Sequence, residues 1–201
     1  MRRMKEGFKK FLILAMACLL GGCMSMGEVG PAPQRLDLGA ASNVSGGASA
    51  GTLPTLVIPP LASASVLQGV SVIWRVGNEG EPRRYATYEW VAAPENLVRE
   101  RLVARLSSDF SILTNSVSSD DLTLRINLIQ FEQIYSSDGS TNDGVVTLQA
   151  ILLKGGKVLG QFRNTVRVKS SGNDAPSGAA ALSQATDRIA EQLADWIKKA
   201  G

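Results

Sequence analysis

The sequence predicts an α+β fold: an antiparallel β-sheet with two helices packed on one face. Two observations lead to this prediction. Segments in which apolar and polar residues alternate, typical of half-buried strands, occur both before and after a first helical pattern. A second helical pattern closes the chain. The resulting order of strands, helix, strands, helix is typical of helices that are segregated onto one face of a sheet.

The first strands are expected between residues 55 and 91. Thr55–Ile58 is a short run of the buried type that Pro59 ends, and Val70–Val76 alternates before a Gly-Asn-Glu-Gly turn. Arg84–Val91 can pair back across that turn. This part of the chain is therefore expected to contribute a single strand and then a hairpin.

The first helix is expected over residues 94–108. Pro94 suits the first helical position, and Val98, Leu102 and Leu106 recur at intervals of four residues. We interpret the charged residues on the other faces of this helix as a solvent-exposed surface. These residues are Glu95, Arg99, Glu100, Arg101 and Arg105.

Three further strands follow. The alternation that begins at Leu122 slips by one residue after Leu128, which indicates a β-bulge near residues 128–129. Val145–Leu153 and Val158–Val168 flank a Lys-Gly-Gly-Lys turn and predict a hairpin. The apolar residues of both strands are even-numbered, and opposed residues share a face. This parity predicts a three-residue loop rather than a two-residue Gly155–Gly156 turn.

The second helix is expected from Ala179 to Lys199. An apolar stripe runs along it, and lysines at its carboxyl end suit the helix dipole. The two helices should cover one apolar face of the sheet. Four strand residues are expected to lie buried on that face: Leu124, Ile126, Leu148 and Phe162.

The first 23 residues are typical of an exported lipoprotein. Five basic residues precede the apolar run Phe11–Leu20, which is too short to span a bilayer that needs about 20 helical residues. The pattern predicts a signal peptide over residues 1–22 with cleavage between Gly22 and Cys23. Leu-Gly-Gly-Cys resembles the lipobox of bacterial lipoproteins. The resemblance implies that Cys23 becomes the first residue and carries fatty acids such as palmitate.

The mature chain is expected to have two parts. Residues 23–53 should form a lipidated N-terminus and flexible linker, because Gly39–Gly51 consists almost entirely of Gly, Ala and Ser. Residues 54–201 should form one globular domain. A flexible linker of about 30 residues gives the domain a reach of roughly 30 Å from the membrane.

Composition excludes several function classes. The chain has no histidine and two cysteines, one of them in the signal peptide, so it has no histidine-based triad and no His-ligated zinc. Removal of residues 1–22 takes away five of 21 basic residues and one of 18 acidic residues. The near-neutral remainder argues against nucleic-acid binding.

We therefore expect a protein that is not an enzyme and that uses no cofactor and no metal. The enzymatic alternative is a carboxylate pair, Glu89 with Glu132 or Asp120 with Asp121. Such a pair needs a desolvated pocket that separates the two pKa values. Nothing in the sequence indicates one.

Several short features occur in a characteristic order along the mature chain. They are the lipobox Cys23, the Arg35–Leu38 segment, Trp90 shortly before Pro94 and its Leu-rich helix, Leu124–Glu132 followed by Val146–Ala150, and a final hairpin and helix. Together they resemble the ABC-type transport auxiliary lipoproteins. This family includes the lipoprotein component of paraquat-inducible, Mce-type transport systems.

The resemblance implies an accessory lipoprotein of an envelope lipid transport system, held in the outer membrane by acylated Cys23. Met24, where an Asp would favour inner-membrane retention, agrees with outer-membrane sorting. The implied partners are Mce-domain proteins and ABC transporter components. A second copy of the chain, in a homo-oligomer, is a further candidate partner. The alternative is a lipoprotein that assists assembly of lipopolysaccharide or of another outer-membrane machine.

Such a protein acts by tethering and protein–protein binding, so its important residues should lie on a contact surface. Aromatic side chains dominate the energetics of such surfaces, and the candidates are Trp74, Tyr88 and Trp90. Strict alternation places Tyr88 and Trp90 on one side of their strand and Tyr85 on the other. The alternative interpretation is that these rings are half-buried sheet packing.

Overall fold

The computed structural model describes residues 31–40, 53–118 and 120–201. The predicted cleavage site, Cys23 and residues 41–52 lie outside these ranges. In the described ranges the chain forms a nine-stranded sheet and two α-helices. Neither helix is both long enough and apolar enough to cross a membrane.

The elements have the following bounds. The strands are β1 (Gln34–Leu36), β2 (Thr55–Val57), β3 (Ala62–Ser63), β4 (Ser71–Val76), β5 (Arg83–Trp90), β6 (Ser111–Leu113), β7 (Leu122–Tyr135), β8 (Asn142–Lys154) and β9 (Lys157–Lys169). The α-helices are α1 (Pro94–Leu106) and α2 (Ala175–Ala200), and a 3₁₀ turn covers Ser65–Leu67.

Strand β7 is the centre of the sheet. Along one edge it pairs antiparallel with β8, which in turn pairs antiparallel with β9. Along its other edge it pairs in parallel with β2 near its start, β3 in its middle and β4 at its end. The sheet then continues from β2 to β6, and from β4 to β5 and β1.

The prediction of an antiparallel sheet is only partly right, because five of the eight strand pairings are parallel. The α+β class is confirmed. The long β7–β8 and β8–β9 pairings are antiparallel, and the second of them is the predicted hairpin. Strand β5 reverses the direction of β4, and α1 then leads from β5 to β6 and β7, which run parallel to β2.

The apolar face of β7 and β8 lies in the core, beneath α2. Leu124, Ile126 and Leu148 are buried as expected. Phe162 is half-buried and its ring centre lies 5.5 Å from that of Trp196 in α2. The register shift between Leu128 and Gln130 confirms the predicted bulge.

The prediction of a three-residue loop between β8 and β9 is wrong. Lys154 pairs with Lys157, so the turn consists of Gly155 and Gly156 alone, both with positive φ (56° and 76°). Such angles are those of the tight hairpin turns that favour glycine. Parity is restored by a bulge at Leu159 instead, because the ladder shifts register beyond that residue.

Helix α1 has the predicted apolar stripe, but its arginines are not a simple solvent-exposed face. Arg101 is 7% exposed and donates from Nε and Nη2 to Asp187 of α2, over 2.6 and 2.8 Å. Arg105 donates to the same carboxylate, and Arg99 donates to the carbonyl of Ile58 over 2.9 Å. The charged residues of α1 therefore join the two helices and hold β2.

Residues near the start of the described chain belong to the folded unit, which begins at Pro33 and so earlier than the predicted residue 54. Strand β1 pairs with β5, and Leu38 is buried. The Leu38 carbonyl accepts bonds from Arg101 and Ser183 over 2.8 and 2.7 Å. Ten residues therefore separate Cys23 from Gln34, and residues 41–52 connect two parts of the same unit.

Candidate functional site

A cleft of about 320 Å³ lies where β4 and β7 end. We call it the aromatic cleft, and it is lined by Trp74, Val76, Tyr85, Tyr135, Gly139 and Asn173. The Trp74 ring stands nearly perpendicular to that of Tyr135, with ring centres 5.6 Å apart. Tyr85 lies 6.0 Å from Trp74 on one side and 6.0 Å from Tyr88 on the other. Four aromatic rings thus form one contiguous cluster.

The strand pattern explains how these rings meet. In the parallel β4–β7 ladder Val76 pairs with Tyr135, which places Trp74 beside the end of β7. In the β4–β5 ladder Ser71 pairs with Glu89 but Ile73 pairs with Arg84. The four residues 85–88 of β5 therefore lie opposite one residue of β4. This irregularity allows Tyr85 and Tyr88 to contact each other, whereas strict alternation predicted opposite sides.

A chain of hydrogen bonds fixes the tyrosine side of the cleft. The Tyr85 hydroxyl donates to Gln133 Oε1 over 2.8 Å and lies 2.7 Å from the Tyr135 hydroxyl. Because Tyr85 has only one hydroxyl proton, Tyr135 is the donor in the second bond. Gln133 is 1% exposed and donates to Asn142 Oδ1 over 2.6 Å and to the Asp174 carbonyl over 3.1 Å.

The same chain continues through two asparagines to the loops around the cleft. Asn142 Nδ2 donates to the Gly172 carbonyl and to Asn173 Oδ1, over 2.8 and 2.7 Å. Asn173 Nδ2 donates to the carbonyls of Gly139 and Ser140, over 3.3 and 3.2 Å. Each of the three amides uses both of its N–H groups and its oxygen. The orientation of every member is therefore determined, which makes the cleft wall rigid.

The start of α2 is packed tightly against this network. Asp174 caps the helix by accepting from the Ser177 backbone N–H over 2.7 Å. Gly178 lies so close to Gln133 that a Cβ added there would sit 2.3 Å from Oε1. Only glycine therefore fits at this position while Gln133 keeps its bonds.

The cleft carries little charge of its own. Burial and the hydrogen bond with Tyr135 raise the pKa of Tyr85 well above its ordinary value, so this phenol stays neutral. The Arg83 guanidinium lies 5.3 Å from the centre of the Trp74 ring, within cation–π range. The arrangement suits contact with apolar or aromatic groups at the cleft and with an acidic group at its Arg83 rim.

The structure separates the three predicted interface residues. Trp74 and Tyr88 are half-buried members of the aromatic cluster. Trp90 is 2% exposed and packs on Phe131, with ring centres 5.3 Å apart, so its side chain is not available to a partner. Sequence reasoning missed Tyr85, Tyr135 and Gln133. A usable signal was Gln133, a polar residue at the position where the alternation of Ile129 and Phe131 would place the next apolar side chain.

In each carboxylate pair of the enzymatic alternative, one member has a structural role. Glu132 is buried, and its two oxygens accept from Arg75 Nε and Gln130 Nε2 over 2.7 and 2.6 Å. Asp121 accepts from the backbone N–H groups of Val117 and Ser118, which closes a turn and lowers its pKa. In ranges 31–40, 53–118 and 120–201, no three acidic, Cys or His side chains are grouped as a metal site requires.

Comparison with known proteins gives a family and a fold. The family described as the ABC-type transport auxiliary lipoprotein component matches residues 36–194. No curated protein matches the chain. An uncharacterised protein of known structure is 18% identical, with a TM-score of 0.67 over 83% of this chain and 99% of that one. Protein XCC0632 from Xanthomonas campestris, of family DUF330, is 22% identical, with a TM-score of 0.63 over 83% and 92%.

Proposed function

Because the chain belongs to the ABC-type transport auxiliary lipoprotein family, we propose that it is the outer-membrane accessory lipoprotein of a Mce-type ABC system that transports lipids across the envelope. In this proposal, cleavage between Gly22 and Cys23 leaves Cys23 carrying fatty acids such as palmitate. The folded unit then acts by binding and positioning a protein partner rather than by turning over a substrate.

The short sequence distance between Cys23 and the folded unit agrees with this proposal. Several acyl chains, each contributing about 0.8 kcal/mol per buried methylene, make such an anchor effectively permanent. Ten residues lie between Cys23 and β1. If flexible, they have a root-mean-square reach of roughly 17 Å, shorter than the linker that the sequence predicted. The folded unit would therefore work close to the membrane.

The observation that carries the proposal is that the aromatic cluster, whose rings Trp74, Tyr85 and Tyr135 line the cleft, lies beside the point where β1 enters the sheet. Strand β1 runs parallel to β5, and Gln34, its first residue, pairs with Tyr88. The segment that arrives from Cys23 thus joins the sheet beside the aromatic cluster. A partner that binds Trp74 and Tyr88 would be held next to the anchored end of the protein.

The cleft also has the physical character of a binding surface. Tryptophan and tyrosine are enriched among residues that dominate binding energy. The hydrogen-bond network through Gln133 holds Tyr85 and Tyr135 in place before binding, which reduces the entropy lost on association. We therefore assign the cleft to a periplasmic protein component of the transporter, either its Mce-domain protein or another subunit.

Copurification from intact cells tests this assignment. The affinity-tagged wild-type chain should crosslink to a Mce-domain protein identified by mass spectrometry. Trp74→Ala should lose that partner, whereas Val117→Ala, at an apolar loop residue that is 82% exposed, should retain it. Recovery of an outer-membrane barrel protein instead of a transporter component would favour the lipopolysaccharide-assembly alternative. If Trp74→Ala still recovers the same transporter component, the partner does not bind through the aromatic cleft.

The anchor needs a separate test. Cys23→Ser should abolish incorporation of a radioactive fatty acid and leave an unprocessed precursor. Fractionation of wild-type cells should place the labelled protein in the outer membrane. A Cys23→Ser chain that still matures and floats with the outer membrane would contradict the anchoring mechanism.

A further inference from the structure

Strand β9 is a long edge strand. Lys157–Lys169 pairs with β8 on one side, and no other strand of the described ranges pairs with its other side. Beyond the bulge at Leu159 the ladder is regular from Gly160 to Lys169. An edge of this length presents a row of backbone donors and acceptors to which another chain can pair.

Two hydrogen bonds show which backbone groups face outward. The Ser170 N–H donates to the Asn142 carbonyl at the start of β8 over 2.9 Å. The Thr165 N–H instead donates to the side-chain oxygen of its neighbour Asn164 over 2.8 Å. Because bonding direction alternates along an antiparallel strand, the odd-numbered residues from Gln161 to Lys169 direct their N–H groups away from β8.

The two faces of β9 differ in charge. The even-numbered residues Phe162, Val166 and Val168 lie on the face covered by α2. The odd-numbered residues lie on the face opposite α2, which we call the open face, and Arg163, Arg167 and Lys169 are exposed there. Arg167 Nη2 also donates to Asn78 Oδ1 of the β4–β5 turn over 2.6 Å. On the neighbouring strand this row meets one carboxylate, that of Asp143, which lies 3.8 Å from Arg167.

We propose that β9 is a second binding surface, one that accepts an extended acidic segment of a partner protein as an additional strand of the sheet. Acidic side chains of that segment lie opposite Arg163, Arg167 and Lys169 on the open face. Its apolar side chains lie on the other face, beside Phe162 and Trp196. The inference deepens the proposed function, since it rests on the premise that the chain works by binding a protein.

The charge pattern selects this occupant over a second copy of the chain. An antiparallel β9–β9 pairing centred on Thr165 would set Arg163 of each copy opposite Arg167 of the other. A pairing centred on Arg163 would set the two Arg163 side chains against each other. Like charges directly opposite one another destabilise a sheet. The same arginines therefore disfavour self-pairing and favour an acidic strand.

Binding of two designed peptides to the full chain in detergent micelles tests the proposal. The peptides are short, labelled with a fluorophore and blocked at both ends. One alternates Glu with Val and the other alternates Lys with Val. The Glu peptide should bind and the Lys peptide should not. Hydrogen exchange should slow at the outward amides of Arg163 and Arg167 when the Glu peptide is bound, which simple charge attraction would not cause.

Three variants sharpen the result. Reversing both charges in Arg163→Glu/Arg167→Glu should weaken the Glu peptide by about tenfold or more and allow the Lys peptide to bind. Arg125→Glu, an exposed position on the open face but on β7, should leave both affinities unchanged. Thr165→Pro should weaken the Glu peptide because it removes an outward donor that makes no bond to β8.

Several outcomes would overturn the proposal. They are no binding of either peptide, equal binding of both, or binding without slowed exchange at β9. If, without peptide, hydrogen exchange at the outward β9 amides slows as the protein concentration rises, and sedimentation shows self-association, the edge binds a second copy of the chain instead. Trp74→Ala should not alter peptide binding. Failure of the strand-addition proposal is therefore distinguishable from failure of the proposed function, which the cleft variants test.

Discussion

Trp74 and Trp90 lie on adjacent strands, yet their surroundings are opposite. Trp90 is almost completely buried, packs on Phe131, and its backbone N–H donates to the Val70 carbonyl over 2.7 Å. Trp74 lines the aromatic cleft, and Arg83 lies over its ring. One tryptophan therefore fills the core, and the other is available to a partner.

The register of β5 produces this difference. The irregularity over residues 85–88 separates a first part of the strand, which faces Trp74, from a last part, which carries Trp90 into the core. Residue type alone made both tryptophans candidates for the interface. Whether an aromatic side chain acts in stability or in binding depends here on one strand irregularity. Substitutions that affect stability and binding separately test this conclusion.

The largest loss of stability is expected for Trp90→Ala. Removing a buried tryptophan leaves a cavity against Phe131 and should lower the free energy of unfolding by about 3 to 5 kcal/mol. Urea denaturation of the wild-type and variant chains measures the change. A loss below about 1 kcal/mol would contradict the assignment of Trp90 to the core.

The next largest loss is expected for Asp187→Ala. The substitution leaves Arg101 buried without its carboxylate and should lower the free energy of unfolding by about 3 kcal/mol. Because Asp187 joins α1 to α2 and does not line the cleft, crosslinking to the partner should persist at temperatures where the variant stays folded. Simultaneous loss of binding under those conditions would contradict the separation of the two regions.

The same ion pair gives a pH dependence. Burial alone would raise the pKa of Asp187, but hydrogen bonds and charge from Arg105 and Arg101 outweigh it and hold the pKa below its ordinary value. Because the pKa of Asp187 is lower in the folded than in the unfolded chain, its charge stabilises the fold at pH above the unfolded-state pKa. This stabilisation is lost as the pH falls through the folded-state pKa. The wild-type chain should therefore lose stability below about pH 4 more steeply than Asp187→Asn. Equal slopes in acid denaturation would contradict this.

A smaller loss is expected for Gln133→Ala. It removes the acceptor of Tyr85 and the donor to Asn142, and the buried groups left unpaired should cost about 1 to 3 kcal/mol. Since Tyr85 then keeps only its bond with Tyr135 and is held less firmly, partner crosslinking should also weaken. Gln149→Ala, on the open face of β8 and outside this network, is the matched control and should change neither quantity.

The smallest loss of stability is expected for Trp74→Ala. The ring is half-buried, and loss of its contacts with Tyr85 and Tyr135 should cost about 1 kcal/mol. Partner binding should nevertheless be lost. A variant that unfolds as readily as Trp90→Ala would show that Trp74 is a core residue, and the contrast between the two tryptophans would then be wrong.

The parts of the fold that depend on local patterns were predictable. Alternation located β7, β8 and β9, and its slip after Leu128 located the bulge. Intervals of four residues located α1 to within two residues of its carboxyl end. These features depend on neighbouring residues in the chain, so their signal is contained in short windows.

The parts that depend on distant contacts were not predictable. Strands β3 and β6 have two and three residues, too few for a periodic signal, and they form against partners far along the chain. The even-numbered residues of β8 and β9 do share a face, as predicted. A bulge at Leu159 produces this register, so the three-residue loop that was predicted for it is not needed. The burial of Arg101 depends on Asp187, 86 residues away. The aromatic cluster was missed in part because Tyr85 and Tyr88 meet only through an irregular register.

Photo-crosslinking from the Tyr88 position in intact cells tests most directly whether the aromatic cluster holds the partner. A photoreactive phenylalanine analogue at position 88 should give a crosslink to one transporter component, and the same analogue at the exposed position of Val117 should give none. The crosslink at position 88 should disappear when Trp74→Ala is added while the protein stays folded. Equal crosslinking from both positions, or a position-88 crosslink that Trp74→Ala leaves unchanged, would contradict the account.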